Sequence, residues 1–305
     1  MSNKALQRIL LPALTLVAAQ AYGQLNIVTN FDSSITSDPN AATIEGTLNS
    51  VVSYYDSLIL NPVTVHVTFQ EMNSGLGMSN SWLYSLPYAN YRSALQSNAT
   101  TALDNTVLAN LPSTSTDPVL GQTNMYVNGN LTQALGLGGD NSLIYTISLN
   151  TSICNLSRAS INSSKYDLYA VASHELDEVL GFGSTIGGSL SGHVEPEDLF
   201  RYDQNGNRSY TSSGSATSYL SYNGSTREVQ LNQNSAGDFG DFFVSGTPHV
   251  QDWAATPGIT VNPGPIELRL LDAIGWNLNT QVVPEPAPFI LLGLGVLALA
   301  ARRRS

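Results

Sequence analysis

Apolar and polar positions alternate most clearly in Val63-Thr-Val-His-Val-Thr-Phe69, where Val63, Val65, Val67 and Phe69 share one face. Successive side chains of a strand point to opposite sides, so this segment predicts a strand with one buried face. His66 falls on the other face and reads as a surface histidine. Asn26-Ile-Val-Thr-Asn-Phe31 reads as an opening strand. Between the two, Ala41, Ile44, Leu48, Val51, Val52 and Tyr55 recur at helical steps, which predicts an amphipathic helix over 40–60 entered from Ser37-Asp-Pro. Residues 72–98 are rich in Gly, Ser and Tyr with no period, and predict a long loop. A short helix is expected over 99–111, and strands over 124–127 and 142–149. A further helix over 165–180 is stopped by Gly181 and followed by a Gly-rich run to Gly192. The second half is full of turn signals, such as Asp203-Gln-Asn-Gly206 and Tyr222-Asn-Gly224, and closes with a helix over 266–274 before Gly275-Trp276. Mixed strands and helices of this kind predict an α+β fold with a turn-rich C-terminal lobe.

The two ends do not belong to that pattern. Lys4 and Arg8 precede the apolar run Ile9–Ala19, and Ala21 and Gly23 stand where a cut before Gln24 needs small residues. Residues 1–23 therefore read as a secretory signal peptide. At the other end, Val283-Pro-Glu-Pro286 precedes thirteen apolar residues, 289–301, and then Arg302-Arg-Arg304. At 1.5 Å per residue that run covers roughly 20 Å of a hydrocarbon core about 30 Å thick. This tail resembles the PEP-CTERM sorting signal of Gram-negative bacteria. The resemblance implies recognition by an exosortase-type sorting enzyme, a transient stay in the inner membrane, and delivery to the cell surface or an extracellular matrix. The expected organisation is signal peptide 1–23, body 24–281 and sorting tail 282–305.

Charge adds an exclusion. Only 11% of residues are charged, and the net charge is −11. Without Lys4, Arg8 and the Arg302–Arg304 run, seven basic residues face 22 acidic ones in 24–281. No basic patch for nucleic acid can be assembled from seven scattered charges. Cys154 is the single cysteine, so no intrachain disulfide forms, and it reads as a small part-buried hydrophobe. The few acidic residues are clustered. Glu175, Asp177, Glu178, Glu195, Glu197 and Asp198 fall within 24 positions, around His174 and His193.

Within that cluster, His174 and Glu178 are four apart and Gly181 three further on, all on one helical stripe; Ala172, Leu176, Val179 and Leu180 form an apolar one. Two side chains four apart can hold one metal ion from the same turn. A carboxylate next to the first ligand, Glu175, can take a proton from an activated water. Asp177 reads as the solvated edge of the helix. The third ligand must come from elsewhere. His193 is favoured, with Asp198 and Glu195 as alternatives and His249 weaker; Asp198 could equally be a partner for Arg201. Asp203-x-Asn205-x-Asn207 opens like a calcium loop, but it has Arg208 at the sixth place and no closing Glu, so it reads as a turn.

The segment His174-Glu-Leu-Asp-Glu178-Val-Leu-Gly181 resembles the zincin metallopeptidase motif His-Glu-x-x-His-x-x-Gly, most of all its metzincin form, with Glu178 in place of the second His. Ser184 stands where the metzincin third ligand would be, and no Met follows Met125 to make a Met-turn. The chain also resembles secreted bacterial zincin-like proteins with a His-Glu-x-x-Glu helix, followed by Asp-Leu-Phe-Arg-Tyr (Asp198–Tyr202), Gly-Asp-x-Gly-Asp (Gly237–Asp241) and Leu271-Asp-Ala-Ile-Gly-Trp276. That resemblance implies an active-site helix over a mixed sheet, and a zinc metallopeptidase with Zn²⁺ on His174, Glu178 and His193, Glu175 as the base, and a protein or peptide as substrate. The departures at Glu178 and Ser184 motivate the alternative of a non-catalytic matrix protein on a degenerate zincin scaffold.

Overall fold

A computed structural model describes residues 23–279. The expected signal peptide, apart from Gly23, and the whole of the expected sorting tail with its apolar run lie outside the described residues. In chain order the elements are β1 (Asn26–Phe31), α1 (Ser33–Thr36), α2 (Ala41–Leu58), β2 (Thr64–Glu71), β3 (Gly77–Ser79), β4 (Leu83–Pro87), α3 (Tyr88–Asn98) and α4 (Ala102–Asn110). There follow β5 (Asn124–Asn128), α5 (Gly129–Ala134), β6 (Ile144–Leu149), β7 (Cys154–Asn155), β8 (Tyr166–Asp167), α6 (Leu168–Val179), β9 (Arg201–Asp203), β10 (Ser218–Leu220), β11 (Val229–Leu231) and α7 (Pro265–Ile274). The fold is α+β. Among the described residues no helix is long and apolar enough to cross a membrane.

The main sheet has the order β1-β2-β6-β3. Its first three strands are parallel, and β3 runs antiparallel to β6 at the edge, so the sheet is mixed. Val65, Val67 and Phe69 of β2 are buried, whereas His66 lies in a cross-strand row with Val28 and Ile144 on the more open face. α2 buries Ile44, Leu48, Val51, Val52, Tyr55 and Leu58, the stripe that its spacing predicts. It packs beside α6, which lies against β6 and β3. The rear end of α6 is closed by Trp276, fully buried, whose indole N–H donates to the Leu180 carbonyl at 2.8 Å. Gly181 follows with φ +115°, a left-handed backbone that glycine adopts without a Cβ clash.

The C-terminal half carries a small antiparallel sheet, β11-β10-β9. The Asp203 segment is a turn: one carboxylate oxygen accepts from the N–H groups of Asn205 (2.8 Å) and Asn207 (2.9 Å).

Residues 72–98 are not the long loop that their composition suggests. They contain β3, β4 and α3. β4 pairs with β5, about forty residues away, so no local signal announces it. α3 buries Tyr88, Tyr91, Ala94 and Leu95, an apolar stripe built largely of tyrosine, whose hydroxyl makes it read as polar.

Candidate metal centre

Helix α6 presents His174 and Glu178 one turn apart to a cleft of about 550 Å³. Its walls include β3, the Gly237–Asp241 stretch and the loop through His249 and Trp253. Across the cleft stands Asp241. His174 Nε2 lies 3.5 Å from Glu178 Oε1 and 3.5 Å from Asp241 Oδ1. One ligand atom from each of the three lies within 4.8 Å of the others. A tetrahedral ion with bonds of about 2.0–2.1 Å holds neighbouring ligand atoms about 3.3 Å apart. The observed spacing fits that geometry and is longer than a typical hydrogen bond. The three residues could therefore hold a divalent cation.

The supporting contacts aim these ligand atoms inward. His174 Nδ1 lies 2.9 Å from the Val250 carbonyl, which can only accept, so Nδ1 carries the hydrogen and Nε2 is left for a ligand role. Glu178 Oε2 accepts from the Ser79 hydroxyl at 2.7 Å, which leaves Oε1 facing His174. Gln251 donates to the His174 carbonyl at 3.1 Å and tightens the same loop onto α6.

Carboxyl groups surround the His174 ring. Burial disfavours an imidazolium at His174, but Asp241, Glu178 and Glu175 outweigh it and hold the ring's pKa well above the usual histidine range. Burial raises Asp241 to about 8, with His174 opposing. For Glu178, burial is overcome by the adjacent His174 and by the Ser79 hydroxyl, and its pKa is lowered. A cation at this point would take the place of the imidazole proton.

Glu175 sits behind the cluster, 5% exposed, with Oε2 buried and without a hydrogen-bond partner. Burial, helped by Glu178, pushes its carboxyl up to about 9. Its room depends on Gly77 of β3. A Cβ there would meet the Glu175 carboxylate and would come within 2.9 Å of Val171 Cγ1, so the strand can lie this close only with glycine at that place.

Of the residues expected from the sequence, the structure brings together His174, Glu178 and Glu175. His193 is not among them. The Tyr126 N–H donates to the Val194 carbonyl at 2.9 Å, which ties the segment to β5, and the His193 ring packs edge-on against Tyr126. Asp198 is also occupied elsewhere: its oxygens accept from the Ser184 hydroxyl at 2.6 Å and the Glu195 N–H at 2.9 Å. Arg201 donates to the carbonyls of Phe239 and Asn232, and forms no close pair with Asp198. Glu195 is buried but is not one of the three clustered ligands. Asp177 is not on a solvated edge. It is fully buried, bonded to the Tyr55 hydroxyl at 2.7 Å and to Gln251 at 3.3 Å.

Asp241 was not singled out by sequence reasoning as a ligand. Its signal was available in Gly237-Asp-Phe-Gly-Asp241, where two carboxylates stand between glycines in a chain poor in charge. Gly240 has a packing reason of its own, because a Cβ there would meet Gly183 Cα at 2.9 Å. The glycine lets the Asp241 segment close onto the loop that follows α6.

A family model described as the PEP-CTERM protein-sorting motif matches residues 282–304. No curated protein and no solved structure matches the chain. The motif marks an exported protein that an exosortase-type enzyme recognises and that is sorted to the cell surface or matrix.

Proposed function

We propose that this exported, surface- or matrix-sorted protein is a metal-dependent peptidase. Its active site would be the cleft over α6, with Zn²⁺ on His174, Glu178 and Asp241 and Glu175 as general base. One observation carries the reading: three ligand atoms converge at ion spacing, and the next residue on the same helix offers a buried carboxylate oxygen with no partner. One imidazole and two carboxylates suit zinc, and also tolerate harder divalent ions.

A bound dication supplies positive charge that polarises a carbonyl and favours loss of a proton from water. The chain's own groups do the remainder. Glu175 accepts a proton from the attacking water and returns it to the leaving amine. Val250 and Ser79 keep His174 and Glu178 in place, so that no ligand has to reorganise. A peptide substrate is supported by β3, which is the terminal strand of its sheet and lines the cleft. An extended chain can add to such an edge through main-chain hydrogen bonds. The zincin-like character of the fold belongs to this proposal. It rests on the His-Glu-x-x-Glu helix set against a mixed sheet.

The test is hydrolysis of casein and of a quenched peptide library by the purified chain. The expected result is cleavage that stops with chelator and returns with Zn²⁺. Cleavage indifferent to chelator would overturn the reading. A bound ion with no cleavage would favour a non-catalytic matrix protein on the same scaffold.

A further inference from the structure

The main sheet buries the face that carries Val65, Val67 and Phe69 and leaves the other largely open. Cross-strand register orders that open face into rows. The first row is apolar and ring-bearing: Val28, His66 and Ile144 stand side by side, with Val28 42% and Ile144 57% exposed. Trp82, just beyond β3, ends this row. Its indole N–H donates to the Ile144 carbonyl at 3.1 Å, and its own carbonyl accepts from the Gly129 N–H at 2.8 Å. The residue is nevertheless 47% exposed. Its only side-chain donor is thus used to pin the ring, and what remains for a ligand is apolar surface. The next row is polar, with Asn30, Thr68 and Thr146. Asn80 N–H donates to the Thr146 carbonyl at 3.1 Å and holds the segment leading to Trp82 against β6. A third row sets Gln70 beside Ser148. Both amides donate along their rows, Asn30 to the Thr68 hydroxyl at 3.5 Å and Gln70 to the Ser148 hydroxyl at 2.9 Å. Among the described residues their side-chain oxygens accept no hydrogen bond.

The chemistry of the rows selects an occupant. None of these side chains is Asp, Glu, Lys or Arg, and the whole chain carries a net charge of −11. A charged partner finds no counter-charge here, and an acidic one is repelled by the rest of the molecule. Four strand positions about 4.8 Å apart and three rows about 6.8 Å apart give a face of about 19 Å by 20 Å, about 400 Å². A stable protein interface takes about 800 Å² from each partner, so the face is too small to hold a second copy of this chain. It suits a thin, extended and neutral ligand. A chain of neutral sugars has the matching pattern, because the flat of each ring is C–H and its rim is hydroxyl. An apolar row beside polar ones meets both at once.

We propose that this open sheet face binds a neutral polysaccharide of the surface or matrix to which the chain is sorted. Trp82 and Ile144 take the C–H flats of neighbouring sugar rings, and Asn30, Thr68, Thr146 and Gln70 exchange hydrogen bonds with the sugar hydroxyls. Trp82 is already fixed by two hydrogen bonds, so little freedom is lost when a sugar packs on it. Neither Trp82 nor Ile144 lines the cleft over α6, so this binding face is independent of the peptidase reading.

The test is affinity electrophoresis of the purified chain in native gels. The gels contain hydroxyethylcellulose, galactomannan or dextran, which are neutral, or alginate, a polyanion. Sedimentation velocity reports mass, and the thermal midpoint reports folding. The proteins are wild type, Trp82→Ala, Ile144→Ser and Phe243→Ala, the last an exposed aromatic outside the sheet. Wild type and Phe243→Ala should be retarded by at least one neutral polysaccharide and not by alginate. Trp82→Ala should lose at least about 10-fold in affinity, and Ile144→Ser at least about threefold. Ile144→Ser, at the more exposed position, keeps the test decisive if Trp82→Ala misfolds. A wild type that migrates freely in every neutral gel, or that is retarded by alginate alone, overturns the proposal. Retardation that survives both Trp82→Ala and Ile144→Ser overturns it too, because the sugar then binds elsewhere. A wild-type dimer that either substitution makes monomeric would turn the face into a self-interface and overturn it as well.

Discussion

Glu175→Gln should abolish peptide cleavage while leaving the ion in place. The substitution keeps size and shape but removes the group that accepts a proton. The expected loss in kcat is about 10²–10⁴-fold, the range of a positioned general base. Metal content should not change, because Glu175 is not one of the three clustered residues. Stability of the metal-free chain should hold, since burial drives the Glu175 carboxyl up to about 9, so that the group is already neutral at pH 7, as the amide is. The check is kcat together with bound metal per chain. A variant that cleaves as wild type would remove Glu175 from the chemistry. One that loses its ion would make Glu175 a ligand.

The second large effect is on stability without metal. Burial raises Asp241 and Asp177 to about 8 and Asp198 to about 6, all from an ordinary 3.8. Burial also raises Glu195 and Glu197 well above the usual carboxyl range. A carboxyl whose pKa is higher in the folded state binds its proton more tightly there. Its favourable contribution is complete below about pH 4 and is lost as pH rises towards 8 and beyond. His174, held above its ordinary value, contributes with the same sign over a higher range. Glu178 opposes them, because its lowered pKa favours folding above its ordinary 4.5. The raised groups outnumber it. The chelator-treated chain should therefore be less stable at pH 8 than at pH 5, by about 2 kcal/mol or more. That corresponds to at least about 5 °C in thermal midpoint for a body of this size. Zinc should restore most of the difference at pH 8 and little at pH 5, where protons compete for its ligands. A metal-free midpoint that rises from pH 5 to pH 8 would contradict this.

The parts of the site that were legible in the sequence are those on one helix. His174, Glu175 and Glu178 announce themselves because helical geometry converts a spacing of four into a shared stripe. Val63 to Phe69 and the α2 stripe were legible for the same reason, since a fixed period ties sequence to burial. Asp241 was not, because it stands 63 positions beyond Glu178 on an irregular segment, where no period connects it to α6. His193 looked better placed as the first histidine after the Gly-rich run, yet the backbone bond from Tyr126 to Val194 takes it to β5. Asp177 read as solvated because charge usually faces water. Its burial follows from Tyr55 and Gln251, which are distant in sequence and supply the two donors that its carboxylate requires. The sorting motif was legible because its signal is linear, and the family model matches it over residues 282–304.

The most direct measurement is metal content after zinc loading and removal of excess ion, for wild type, Asp241→Asn and His193→Ala. Wild type and His193→Ala should each retain about one zinc per chain, and Asp241→Asn should lose it or bind at least about 10-fold more weakly. A wild type that retains no ion, or an Asp241→Asn variant that keeps its zinc while His193→Ala loses it, would contradict the His174–Glu178–Asp241 centre.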